Sequence, residues 1–159
     1  MSRLYLLRHA KSSWKDASLD DHDRPLAPRG KRASKAIGRY LRDHDIEPEL
    51  VLCSSAKRAR QTLERLGPAG LDARIERELY GAGANALLAR LREVPDEVAS
   101  VMVIGHNPGM QQLAHGLAGL DDKFPTAALA TLECARWSTL ETAELIDYVR
   151  PRDLDAPAA

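Results

Sequence analysis

The sequence predicts an α/β fold: a three-layer α/β/α sandwich around a mostly parallel sheet. Two observations carry that expectation. Short apolar runs alternate with longer segments of helical periodicity, the pattern of a strand–helix–strand chain. Three of the runs end abruptly in polar groups: Arg8-His9 after residues 4–7, Ser54-Ser55 after 50–53, and Gly105-His106 after 100–104. Right-handed crossovers carry successive strand ends to one side of a parallel sheet. That side is where open α/β sheets bind ligands. The length of 159 residues fits one domain, expected over residues 1–150. The Pro-, Asp- and Ala-rich tail, 151–159, is expected to fray.

Leu4-Tyr5-Leu6-Leu7 reads as a buried strand that delivers Arg8 and His9 to the sheet edge. The guanidinium is a fork that fits phosphate or carboxylate. The imidazole can serve as nucleophile, base or acid near neutral pH. Alone, the pair reads as well as a salt-bridge partner beside an idle histidine. Asp16, Asp20, Asp21 and Asp23 then mark a solvated loop; it lacks the glycine and terminal glutamate of a calcium loop. From Leu26 the pattern is helical, with Pro28 in the first turn and Ala33, Ile37, Tyr40 and Leu41 as an apolar stripe. Arg29, Lys31, Arg32, Lys35, Arg39 and Arg42 fill the rest. That basic face is a solvated surface or, alternatively, a docking face for acidic partners.

Residues 50–53 form the second strand. Ser54 and Ser55 are placed to cap the helix that follows. Arg58 lies in its first turn, where a helix N-terminus favours anions, and is the second candidate phosphate clamp. Arg60 points elsewhere and reads as a surface residue. Gly67-Pro68 ends this helix, residues 73–76 give a short third strand, and Asn85 is expected to cap a helix carrying Leu87, Leu88, Leu91 and Val94. The fourth strand, 100–104, runs into Gly105-His106-Asn107-Pro108-Gly109, with Pro108 opening the next helix. There is no Gly-x-Gly-x-x-Gly run and no Walker lysine, which disfavours a nucleotide loop. Residues 127–134 and 142–149 alternate like a closing strand pair, with 136–139 as the turn.

Formal net charge is zero, with 23 basic and 23 acidic side chains, so no whole-protein field argues for nucleic acid or membrane partners. Cys53 and Cys134 match no metal motif and imply no disulfide framework, which suits a reducing cytoplasm. No apolar signal core or membrane span is evident. A monomer is the default expectation.

The motifs together resemble the histidine phosphatase, or phosphoglycerate-mutase-like, superfamily, and within it the SixA-type phosphohistidine phosphatases. Leu7-Arg8-His9-Ala10-Lys11-Ser12 is similar to the Arg-His-Gly box in its Arg-His-Ala form. Ser54-Ser55-Ala56-Lys57-Arg58-Ala59-Arg60-Gln61-Thr62 resembles the Ser-Pro-x-x-Arg-Ala-x-Gln-Thr box. Gly105-His106-Asn107-Pro108 resembles the Gly-His box, and Asp23-Arg24-Pro25-Leu26 with Gly30 adds a weaker likeness. The resemblance spans roughly residues 3–118. It implies His9 as a transiently phosphorylated nucleophile, Arg8 and Arg58 gripping phosphate oxygens, and a protonated His106 as a further donor. It implies no metal and no cofactor. Its substrate would be a phosphohistidine-bearing protein or, alternatively, a small phosphorylated metabolite in a phosphomonoesterase reaction; a non-catalytic phosphate-binding module is a further reading. Many members carry a glutamate as general acid three residues before an aromatic-Gly pair. Here Tyr80-Gly81 is that pair and the position holds Arg77. Glu78 and Glu76 flank it; Glu78 is the candidate acid or, alternatively, a surface carboxylate. A missing acid favours phosphohistidine, whose protonated imidazole leaves readily, over alkoxide leaving groups. Lys15 stands where mutase-type members often have asparagine. Lys11 and Lys15 either steer anions or are ordinary solvated lysines. Short linkers imply an open site, with no insertion to retain a mutase intermediate.

Overall fold

Alternation along the first strand decides the layers. Leu4 and Leu6 enter one apolar cluster while Tyr5 and Leu7 enter another, because successive strand side chains point to opposite faces. The computed structural model describes residues 1–67 and 72–154. Its strands are β1 (Ser2–Arg8), β2 (Leu50–Ser54), β3 (Ala73–Glu76), β4 (Ser100–Gly105), β5 (Leu129–Cys134) and β6 (Glu144–Val149). Its α-helices are α1 (Pro28–Asp43), α2 (Lys57–Leu66), α3 (Ala84–Arg92), α4 (Gly109–Ala118) and α5 (Pro151–Leu154). The strands form one sheet in the order β3-β2-β4-β1-β5-β6. The first four are parallel; β5 and β6 close the sheet antiparallel.

Helices cover both faces. Leu87 and Leu91 of α3 and Met110, Leu113 and Leu117 of α4 pack on the Leu4, Leu52 and Val103 side. Ile37, Tyr40 and Leu41 of α1 and Ala59 and Leu66 of α2 pack on the Leu7, Cys53 and Ile104 side. The three-layer sandwich is therefore as the periodicity predicts. Helices α1 and α2 approach closely at Gly38, where a Cβ would lie 2.2 Å from the Leu66 carbonyl oxygen. Only glycine leaves room for that backbone contact.

Leu7, Ile104 and Cys53 are level across β1, β4 and β2. One residue further, the three strands end on the same edge. That register brings together groups 8, 54–58 and 105–106 in sequence, as the crossover rule requires.

Several local expectations are corrected. Helix α3 begins at Ala84 with Gly83 as its N-cap, so Asn85 lies inside the first turn and caps nothing. Helix α2 has Ala56 as N-cap without a side-chain cap; Ser54 instead accepts the Ala56 N–H at 3.2 Å. Pro108 is the N-cap of α4 rather than its first residue. Trp137, read as part of a turn, is fully buried, and its indole N–H donates to the Val98 carbonyl at 2.7 Å. The first four residues of the tail are described. Pro151–Leu154 is helical, Leu154 packs on the α1 face, and Arg150 donates to Asp153. Residues 155–159 and the helix stop at Pro68 lie outside the described residues. Among the described residues, no helix is long and apolar enough to cross a membrane.

Candidate functional site

Strand β1 ends in Arg8, and the chain leaves the sheet at His9 under tight backbone control. His9 N–H donates to the Gly105 carbonyl at 3.0 Å, and Ala127 N–H is shared between the Arg8 and His9 carbonyls. The His9 ring is fixed as well: Nδ1–H donates to the Ala10 carbonyl at 2.8 Å. That bond sets the tautomer and leaves the Nε2 lone pair for chemistry. Burial pushes the His9 imidazole down to about 3, with His106, Arg58 and Arg8 adding to the shift and the Ala10 bond opposing it. His9 is thus neutral across the physiological range.

The second box proves partly architectural. Thr62 Oγ1 accepts Ala10 N–H at 3.0 Å and donates to the Arg58 carbonyl at 2.8 Å. Gln61 Oε1 accepts Leu26 N–H at 2.8 Å. Both residues tie the first turns of α2 to the segments on either side of the aspartate-rich loop. Arg58 leaves the first turn of α2 and is itself buried.

His106 follows β4 and faces His9, with ring centroids 4.9 Å apart. Its Nε2 lies 2.7 Å from Ser54 Oγ. Ser54 also accepts from Ala56, and its hydroxyl can donate to Nε2, the arrangement in which the ring N–H sits on Nδ1. Burial, and then Arg58, lower the His106 imidazole to about 4; Asp21 opposes them. Against the protonated His106 that the resemblance implies stand burial and Arg58; for it stands Asp21.

Asp21 is the residue that sequence reasoning missed. The loop read as solvated carries a 3₁₀ turn, Asp21–Asp23, and folds over Arg58. Arg58 Nη2 donates to the Asp21 carboxylate at 3.0 Å and Nη1 to its carbonyl at 2.7 Å. Arg24 donates to the same carboxylate at 3.1 and 3.2 Å. The Tyr80 hydroxyl donates to it at 2.6 Å. Tyr80 and the two guanidiniums hold the Asp21 carboxyl well below the usual carboxylate range. The Tyr80 ring also stands edge-on to His106 at 5.6 Å and to His22 at 4.8 Å. The available signals were the four-aspartate loop facing an arginine-rich helix start, and the Tyr80-Gly81 pair. Neither names its partner locally.

Arg8 Nη1 donates to the Phe124 carbonyl at 3.1 Å, which Asn107 Nδ2 also reaches at 2.8 Å. Three buried polar atoms remain without a partner among the described residues: Arg8 Nε, Arg58 Nε and His106 Nδ1. Buried donors are normally satisfied. Arg8 is also lowered by burial and by Arg58, the mark of two cations sharing a confined space. An oxyanion relieves both the unmet hydrogen bonds and the repulsion. Glu76 is engaged elsewhere, in a bidentate pair with Arg90 at 2.7 and 2.8 Å. Glu78 is exposed in the 3₁₀ turn Arg77–Leu79. Lys11 and Lys15 are exposed.

A family model for the histidine phosphatase superfamily (branch 1) matches residues 4–82. Phosphohistidine phosphatase SixA of Escherichia coli is 34% identical over 82% of this chain and 84% of its own length. An uncharacterised protein of Mycobacterium tuberculosis is 39% identical over 92% of this chain and 100% of its own. The structure of the protein histidine phosphatase SixA complexed with tungstate superposes with a TM-score of 0.82 at 28% identity, covering 96% of this chain and 99% of that one. The chain belongs to the histidine phosphatase superfamily. It is a phosphatase, with a phosphoglycerate-mutase-like fold.

Proposed function

We propose that this phosphatase removes the phosphoryl group from phosphohistidine in proteins, through a covalent intermediate on His9 and without a metal ion. The observation that carries the proposal is the pairing of a neutral, tautomer-fixed His9 with three unpartnered buried donors from three strand ends. His9 Nε2 attacks phosphorus in line, and the bond from phosphorus to the substrate nitrogen breaks. The leaving imidazole departs already protonated. Water then attacks phospho-His9, releasing inorganic phosphate and restoring the neutral ring. Arg8, Arg58 and His106 Nδ1–H hold the non-bridging oxygens in both steps, where charge is spread over them. Two guanidiniums supply the neutralisation that a metal ion gives in other phosphoryl-transfer sites.

The leaving group favours phosphohistidine over an alkyl phosphate. An alkoxide needs a proton from a placed acid, yet Glu76 is engaged with Arg90 and Glu78 is exposed. The test is rapid quenching, without acid, of enzyme mixed with a labelled aryl phosphate in excess chelator. An aryl leaving group needs no general acid. An alkali-stable, acid-labile phosphoenzyme is expected from the wild type and not from His9→Ala. Turnover that persists in His9→Ala, or that stops with chelator, would overturn the mechanism. Rapid turnover of one alkyl phosphomonoester, with phosphohistidine peptides left intact, would overturn the substrate.

A further inference from the structure

Beside the catalytic edge runs a groove of about 550 Å³ that the phosphoryl chemistry does not use. It is lined by five cations, Lys11, Arg29, Lys123, Arg150 and Arg152, against one carboxylate, Asp122. Asp153, which accepts from Arg150, adds a second carboxylate nearby and leaves the balance strongly positive. The excess is local, since the whole chain has no net charge. Arg29 lies in the first turn of α1, whose N-terminal end adds partial positive charge.

The groove abuts the reaction site through two segments. Lys11 follows His9 by two residues. Lys123 and Pro125 flank Phe124, whose carbonyl accepts from Arg8. On the far side, Arg150 follows Val149, which is level with Leu129 and so with Leu7 near the end of β1. A chain whose phosphorylated side chain reaches His9 would lay its neighbouring residues here.

We infer that this groove docks an acidic segment of the protein substrate, beside its phosphohistidine; the inference rests on the protein-substrate reading above. Lys11, Arg29, Lys123 and Arg152 are exposed, and none of the groove's cations is buried and unpartnered. That is the character of a spread electrostatic surface rather than a preformed cradle for one phosphate. Pro125 and Pro151 give it an apolar lining against which a backbone can lie.

The full chain and the double variant Lys123→Glu/Arg152→Glu separate the possibilities. Both side chains are exposed and lie outside the catalytic machinery, so aryl phosphate turnover should stay within about twofold of wild type. Labelled hexaglutamate, read by fluorescence anisotropy, should bind the wild type well above hexaglutamine. The double variant should weaken it about tenfold or more. A phosphohistidine peptide flanked by glutamates should exceed its glutamine-flanked counterpart about tenfold in kcat/KM, an advantage the variant abolishes. Hexaglutamate binding that survives charge reversal, or that does not exceed hexaglutamine, overturns the docking surface. So does a groove-dependent preference for tripolyphosphate or an oligothymidylate. Failure to turn over either peptide, with hexaglutamate still bound through Lys123 and Arg152, sinks the phosphohistidine reading and leaves the acidic-chain surface in place. Equal turnover of both peptides sinks the docking surface and leaves the phosphatase reading intact.

Discussion

Acidification from about pH 7.5 to about pH 5 should cost this fold several kcal/mol through two imidazoles. His9 is lowered to about 3, chiefly by burial, and His106 to about 4, by burial and then Arg58. An unfolded histidine titrates near 6.5. Both folded values are depressed, so the unfolded chain takes up protons below pH 6.5 while the folded site stays neutral. The stability these groups contribute is complete above pH 6.5 and is lost as pH falls toward 4 and 3. At pH 5 each histidine has given up roughly 2 kcal/mol, at about 1.4 kcal/mol per pH unit. Together they remove about 4 kcal/mol, a large part of a typical domain's stability. Asp21 acts in the same sense but at lower pH: its carboxyl is also depressed, so its contribution is lost only as pH falls through the ordinary carboxylate range, outside this window. Urea unfolding followed by tryptophan fluorescence reads the change, since Trp137 is fully buried while Trp14 is 72% exposed. With a urea slope of about 2 kcal/mol per molar, the midpoint should fall by roughly 2 M. In a His9→Gln/His106→Gln protein the same pH change should move it far less. Equal losses in the two proteins would refute the reasoning and assign the pH dependence to other groups.

Four further outcomes are expected. Arg58→Ala should lower kcat/KM on an aryl phosphate about a hundredfold or more, as for a lost transition-state donor; activity within about threefold of wild type contradicts its placement. Asp21→Asn removes the carboxylate that orients Arg58 and Arg24. Because Asp21 is half exposed, steady-state kinetics should show a loss of about tenfold rather than a hundredfold. Glu78→Gln should leave phosphohistidine turnover within about twofold, and a tenfold fall in kcat would restore Glu78 as the general acid. Gly38→Ala should destabilise by about 1–3 kcal/mol despite alanine's higher helix propensity, because its Cβ would meet the Leu66 carbonyl; an unchanged urea midpoint would show that α1 and α2 can part without cost.

Strand ends were legible in the sequence because a buried strand is a short apolar run with a sharp polar stop. Residues 50–53 and 100–104 each missed only the final strand residue, Ser54 and Gly105. Convergence of groups 8, 9, 58 and 106 on one edge followed from handedness alone. What stayed hidden was long-range pairing. Asp21 and Arg58 are 37 residues apart, and nothing in a run of aspartates says which one meets an arginine. Trp137 was hidden for a related reason: turn-like neighbours gave the local pattern, while the indole was drawn into the core by its area and by the Val98 carbonyl. The pairing of Glu76 with Arg90 was equally invisible, although it engages one of the two candidate acids.

The charge states of the two histidines constrain the proposed mechanism more tightly than their positions do. A nucleophilic His9 must be neutral, whereas a His106 that neutralises phosphate is better protonated. With ring centroids 4.9 Å apart, two imidazoles under the same guanidiniums are pushed the same way, both toward the neutral form. The incoming phosphate breaks that symmetry. Its negative charge opposes the depression that Arg58 and Arg8 exert on His106, the effect Asp21 already exerts from the other side. His106 Nδ1 is buried without a partner, so with the ring proton there it gains a hydrogen bond to an oxyanion at the moment the anion raises its affinity for a second proton, on Nε2 beside Ser54. His9 Nδ1 is already bonded to Ala10, and its Nε2 must keep a lone pair for phosphorus. On this reading proton uptake on phosphate binding falls to His106, while the Ala10 carbonyl fixes the His9 tautomer and burial holds its Nε2 lone pair unprotonated.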